Sequence, residues 1–171
     1  MDTNRSQKKV QEFLKNSNKF KRKVRVTQKE FKADPSAIFK QLCPSRELDW
    51  IDGWDCELIY TKTGYAHKDC IFTTGDSNGL GKGVWIFTNY EENKNVELYI
   101  VNSSFVEQVD ISLKQIDENN TLGIWTSTYT ALNIEGNKIL ESMDEIDEDL
   151  VGALEGLEYF LENGKLLQQS R

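Results

Sequence analysis

The hydrophobic period of this chain changes once, near residue 135. Before that point, apolar and β-branched residues come in short runs: WDCELIYT, AHKDCIFTT, VWIFTNY, VELYIV, VEQVDISLKQI and TLGIWTSTYTAL. Runs rich in Val, Ile, Thr and aromatics read as strands. The segments KTG, GDSNGLGKG, EENKN, NSS and DENNT separate them, and connections this short imply antiparallel neighbours in a meander. From Asn137 to about Gln168 the apolar residues instead recur at Ile139, Met143, Ile146, Leu150, Leu154, Leu157 and Leu161. Each step is three or four residues, which predicts one long C-terminal helix with these side chains on a single stripe. The eight acids from Glu141 to Glu158 then fall mostly on a solvated opposite face.

Ahead of the meander, Val10, Phe13 and Leu14 predict a short N-terminal helix over residues 6–16. A first strand follows, roughly Lys19 to Phe31. Its Lys19, Lys21, Lys23 and Arg25 alternate with Phe20, Arg22, Val24 and Val26, so the basic set reads as the wet face. Exposed lysines on an edge also discourage strand-to-strand aggregation. Between the first two strands lies DPSAIFKQLCPSRELDWIDGW, with both prolines and two of the four tryptophans. Asp34 is a good N-cap and Pro35 suits the first helical position. Ile38, Phe39 and Leu42 form a small apolar face, Pro44 stops the helix, and Ser45–Trp50 reads as a second short turn. The segment is expected to close one end of a cavity.

A chain of 171 residues fits one domain with a sizeable core. We divide it into an N-terminal helical extension, 1–18, and a single domain, 19–168. No apolar run approaches the roughly 20 residues of a membrane span, and the N-terminus lacks the apolar core of a secretory signal. A cytoplasmic location is expected, with no integral membrane association. The net charge of −7 hides an asymmetry, because residues 1–25 carry nine Lys/Arg and two acids. The strand pattern accounts for these cations without nucleic acid. Cys43, Cys56 and Cys70 lack CxxC spacing and read as reduced, small hydrophobes. A three-residue turn at Lys62-Thr63-Gly64 would set Cys56 opposite Cys70, the one register that brings two thiols together.

The order of elements, the 34–54 segment, the hairpin CELIYTKTGYAHKDCIFTT, the VWIFTNY strand and the TSTYTALNIEGN entry into the last helix resemble a START-like (SRPBCC, helix-grip) domain. The likeness is to bacterial polyketide-cyclase/dehydrase-type members and spans roughly residues 20–165. It implies an α+β fold: a curved antiparallel sheet of about seven strands around the C-terminal helix, with two short helices between strands 1 and 2. It also implies a hydrophobic tunnel between sheet and helix. Members bind lipids, sterols, polyketides or plant hormones; some catalyse cyclisation and others regulate partner proteins.

The residues offer little covalent chemistry. His67 is the only histidine, which excludes a catalytic triad or a multi-histidine metal site. Alternation groups it with Asp69 and Ile71 on a solvent-facing side of its strand. GDSNGLGKGVW has the glycines of a phosphate cradle, but Gly83 follows Lys82 where a P-loop needs Ser or Thr, and a strand follows. It reads either as a flexible connection beside the tunnel mouth or as a long hairpin loop. The acids around Asp147 and Asp149 lack the spacing of a calcium loop. Gly152 and Gly156 lie off the apolar stripe and suit close packing against another element or subunit. No metal or cofactor is expected.

Aromatics are the better ligand candidates, since flat rings stack on apolar ligands and a Tyr hydroxyl gives direction. Trp85, Phe87 and Asn89 share one strand face, and Trp125 and Tyr129 share another. The expected ligand contacts are Trp54, Phe72, Trp85, Phe87, Tyr99, Trp125 and Tyr129, with Met143 and Leu150 from the helix. The expected function is binding of a small hydrophobic molecule (lipid, polyketide or aromatic) without covalent chemistry. The alternatives are a protein-interaction domain, or a cyclase/dehydratase-type enzyme using Tyr99, Tyr129 or Glu97 as acid and base.

Overall fold

The computed structural model describes residues 3–17, 19–75 and 82–168. The elements run α1 (Thr3–Lys15), β1 (Arg22–Phe31), α2 (Pro35–Phe39), α3 (Pro44–Glu47), β2 (Cys56–Tyr60) and β3 (Ile71–Thr74). Then come β4 (Gly83–Glu91), β5 (Asn95–Val101), β6 (Phe105–Gln115), β7 (Thr121–Ala131), α4 (Ile134–Ser142) and α5 (Glu148–Asn163). Strands β2 to β7 form the expected meander, and β1 joins its far side, giving one antiparallel sheet ordered β1-β7-β6-β5-β4-β3-β2. The curved sheet holds α5 against its inner face. Strict alternation sorts the sides: Val96, Leu98 and Ile100 of β5 are buried, as are Trp125, Ser127 and Tyr129 of β7. No helix among the described residues is long and apolar enough to cross a membrane.

The segment between β1 and β2 follows its sequence signals. Asp34 Oδ1 accepts from the backbone N–H groups of Ser36 (2.9 Å) and Ala37 (3.3 Å), with Pro35 at the start of α2. Helix α2 ends at Phe39, before Pro44, which instead opens α3, where its missing N–H costs nothing. Ile38, Phe39 and Trp50 are all buried. Gly156 of α5 lies against this segment, where an added Cβ would stand 3.1 Å from the Trp50 carbonyl oxygen. Close approach to another element of the same chain therefore accounts for that glycine.

Two expectations are overturned together. The basic residues of β1 do not form its wet face. Arg22, Val24, Val26 and Gln28 are exposed, whereas Lys23, Arg25, Thr27 and Lys29 turn inward with buried Phe31. The C-terminal helix is not continuous either. Met143 adopts an extended conformation (φ −67°, ψ 130°), and Asp147 caps a new helix by accepting from the Leu150 N–H at 3.2 Å. Ile146, which the periodicity placed on the apolar stripe, is exposed. Both departures share a cause. The acids of the C-terminal segment meet the inward cations of β1, pairing Lys23 with Glu145 (3.2 Å), Arg25 with Asp147, and Lys29 with Glu158 (2.7 Å), while exposed Lys21, just ahead of the strand, pairs with Glu141. Lys23 Nζ also donates to the Met143 carbonyl oxygen at 2.5 Å, occupying an acceptor that the break exposes.

Smaller corrections concern the 56–91 region. Residues Ala66–Cys70 are not strand; β3 begins at Ile71, and Cys56 pairs with Thr74 rather than facing Cys70. The three cysteines are free, and burial pushes the Cys56 and Cys70 thiols up to about 11, which suppresses the reactive thiolate. His67 lies in this turn, where Nε2 accepts from the Lys62 N–H (3.0 Å) and Nδ1 contacts the Lys68 carbonyl oxygen (2.6 Å). A bulge after Phe87 reverses the parity of β4, so Asn89 is exposed and Tyr90 turns in against Phe39, ring centroids 4.7 Å apart. The glycine-rich loop 76–81 lies outside the described residues. Helix α1 exposes its apolar residues Val10, Phe13 and Leu14.

Candidate ligand cavity

A cavity of about 330 Å³ lies between sheet and α5. Its floor is apolar: Trp85 and Phe87 of β4, Val96 and Leu98 of β5, Ile111 of β6 and Trp125 of β7. Leu150, Ala153 and Leu154 of α5 cover it, and Leu42, Trp50 and Ile51 close it from the segment between β1 and β2. Gly123 makes room for this arrangement. Two residues before Trp125 on the same strand face, it lies beneath the indole, and an added Cβ would stand 2.4 Å from Trp125 Cζ3. Phe31 supports the same indole at 6.1 Å between centroids.

One part of the wall is polar. Arg25 Nη2 donates to the Tyr129 hydroxyl oxygen at 2.7 Å and forms an ion pair with Asp147, and its guanidinium lies 5.0 Å from the Tyr129 ring centroid. The hydroxyls of Ser127 and Tyr129 in turn contact the Glu107 carboxylate. Strand register explains the grouping, since Arg25 pairs with Ser127 and Glu107 with Tyr129. Burial pushes the Glu107 carboxyl up, against the pull of the Ser127 and Tyr129 hydrogen bonds. Burial, then the neighbouring Glu107, likewise pushes the Tyr129 phenol up, so it remains a hydroxyl. Burial opposes the Arg25 charge, and the contacts to Tyr129, Asp147 and Glu107 outweigh it.

The polar inventory is incomplete at three points of the lining. Arg25 Nε, Trp50 Nε1 and Glu47 Oε2 are each shut off from solvent and have no hydrogen-bond partner among the described residues. Burial pushes the Glu47 carboxyl up to about 8, and no cation among the described residues offsets it. Unsatisfied buried polar atoms are uncommon in folded chains and mark places where water or a ligand completes the set.

Of the residues expected to touch a ligand, Trp85, Phe87, Trp125, Tyr129, Met143 and Leu150 line the cavity. Three do not. Trp54 lies behind Trp85, edge to face at 5.7 Å, with Nε1 donating to the Pro44 carbonyl oxygen at 2.8 Å. Phe72 is fully buried behind Phe87 at 5.7 Å. Tyr99 is on the outer face of β5, as is Glu97, which bonds to Thr88 and to Gln108 (3.1 Å). Arg25, Glu47 and Glu107 went unrecognised from the sequence. Glu107 had a signal, for it shares strand parity with Val109, Ile111 and Leu113. Glu47 sits in a four-residue helix too short to show a face. Among the described residues, no group of three or more His, Cys, Asp or Glu is arranged to hold a metal ion.

No family model and no curated protein matches the sequence. Solved structures do match. Norcoclaurine synthase from Thalictrum flavum, in complex with dopamine and hydroxybenzaldehyde, superimposes with a TM-score of 0.65 at 14% identity, covering 92% of this chain and 94% of that one. The fold is helix-grip. DynU16, from the dynemicin biosynthetic locus, matches at TM-score 0.58 and 12% identity over 83% of this chain and 48% of its own. An uncharacterised protein from Rhizobium leguminosarum matches at 0.57 and 14%, covering 84% and 96%. Identities this low carry the helix-grip architecture and not an activity.

Proposed function

We propose that this protein binds one small, largely apolar molecule between the sheet and α5 and does no covalent chemistry on it. The observation that carries this reading is the cavity, with an apolar floor and a wall holding partnerless polar atoms. Its 330 Å³ is at the small end of the roughly 300–1,000 Å³ typical of such sites, which favours a one- or two-ring molecule or a short chain over a two-chain lipid. The two small aromatics bound by norcoclaurine synthase are consistent with that size class on this fold. Native mass spectrometry of gently purified protein, followed by extraction, tests the reading. A stoichiometric apolar adduct supports it; a bare mass with no response to a panel of small aromatics overturns it.

A second reading, a cyclase/dehydratase-type enzyme, draws on one observation: the Tyr129 hydroxyl bridges Arg25 and Glu107. A buried carboxyl with a raised pKa, hydrogen-bonded to a phenol, is suited to general acid–base work. Comparing Tyr129→Phe with wild type separates the readings. An enzyme loses turnover while keeping its ligand, whereas a binding protein shows only altered affinity.

A further inference from the structure

We propose that the ligand is an amine: a compact apolar, ring-containing cation whose ammonium group is received by Glu47 while its body lies on Trp85, Phe87 and Trp125. This rests on the cavity being a ligand site, as proposed above, and adds the charge of the occupant.

The argument is a charge inventory. Among the described residues, four acids line the cavity, Glu47, Glu107, Asp147 and Asp149, against a single cation, Arg25. Arg25 is already committed to Asp147 and to the Tyr129–Glu107 pair. Among the described residues, Glu47 is left with no cation and with Oε2 unpartnered and out of solvent. Burial by itself keeps Glu47 protonated. Water or an alcohol can satisfy its hydrogen bond, but only a cation placed beside Oε2 draws it into the carboxylate form as an ion pair. Three residues along, Trp50 is 4% exposed, and its own N–H has no acceptor. A ligand hydroxyl or carbonyl oxygen, or a water beside the amine, would complete that donor. The aromatic floor is compatible with the same occupant, because indole faces attract cations.

An anionic head group is disfavoured for the same reasons. Arg25 Nε, the guanidinium nitrogen shut off without a partner, belongs to a group that already faces Asp147 and Glu107, so a carboxylate brought there would meet two acids. Fatty acids are therefore poor candidates for this cavity, whatever their fit to its floor.

The test is calorimetric titration of the full chain with three molecules of one shape and three charges: 3-phenylpropylamine, 3-phenylpropan-1-ol and 3-phenylpropanoate. A charge-assisted hydrogen bond to a buried group predicts that the amine binds about tenfold or more tightly than the alcohol, with the carboxylate weaker than both. In Glu47→Gln, checked for cooperative melting, the amine's advantage over the alcohol falls to near unity. If the alcohol binds as well as the amine, or the carboxylate binds best, the inference fails while the cavity reading stands. An unchanged amine-to-alcohol ratio in Glu47→Gln also overturns it. If none of the three binds at millimolar concentration, the cavity reading fails with it.

Discussion

Arg25 in β1 and Asp147 at the N-cap of α5 form an ion pair across 122 positions of the chain, with the two side chains 13% and 14% exposed. The pair ties the edge strand to the start of the helix that roofs the cavity, and it orients the guanidinium toward Tyr129. Removing one partner leaves the other charge buried and alone, which costs more than the pair itself contributes. We expect Arg25→Ala to destabilise the fold by about 3 kcal/mol, lowering Tm by roughly 6–12 °C. Asp147→Asn costs less, and the double-mutant cycle gives a coupling above about 1 kcal/mol. Additive single effects would show the contact to be incidental.

Glu47 predicts a pH signature. Burial raises its carboxyl from 4.5 to about 8, so the folded state holds this proton more tightly than the unfolded chain does. Its contribution to stability is complete below about pH 4.5 and is lost as pH rises through 8. Glu47→Gln keeps the shape and removes that loss. The variant is expected to melt higher than wild type at about pH 8–9, by on the order of 2 kcal/mol, and to converge with it near pH 4–5. Parallel melting curves across that range would refute the burial of this carboxyl.

Gly123 is the cavity's spacer. A methyl group there would meet Trp125 Cζ3 at 2.4 Å, and the indole has to swing away from its place beside Phe31. Gly123→Ala is expected to shift tryptophan fluorescence and near-ultraviolet circular dichroism. Affinity for a cavity probe should fall by about tenfold, with stability reduced by about 1–3 kcal/mol. An unchanged spectrum would mean that Trp125 has another resting place.

Gly136 supports α4 more rigidly. A Cβ at this buried position would stand 2.0 Å from the Ser104 carbonyl oxygen, and backbone cannot yield as a side-chain tip does. We expect Gly136→Ala to cost about 2–3 kcal/mol by thermal denaturation. Gly164→Ala also destabilises, by about 1 kcal/mol, because it caps α5 in the left-handed region at φ 63°.

Much of the fold was legible because its signals are local. Asp34 and Pro35 announced α2; the run VELYIV announced β5; Trp125 and Tyr129 declared a shared face. Local alternation also held the clue to Glu107, whose neighbours two and four residues on are apolar. It could not distinguish the two faces of β4, where both sets are apolar enough to bury, nor anticipate the bulge that exchanges Asn89 for Tyr90.

Local pattern by itself therefore determined the meander, the position of the short helices and the resemblance to helix-grip domains, since periodicity and capping depend on residues a few positions apart. Tertiary structure alone decided which way β1 faces, where the C-terminal helix breaks and which acids are buried. The physical reason is charge pairing at long sequence separation. Lys23 and Arg25 read as a wet face until acids more than a hundred residues away come to meet them. The same rule leaves Glu47 without an answer, because no cation among the described residues folds back to it.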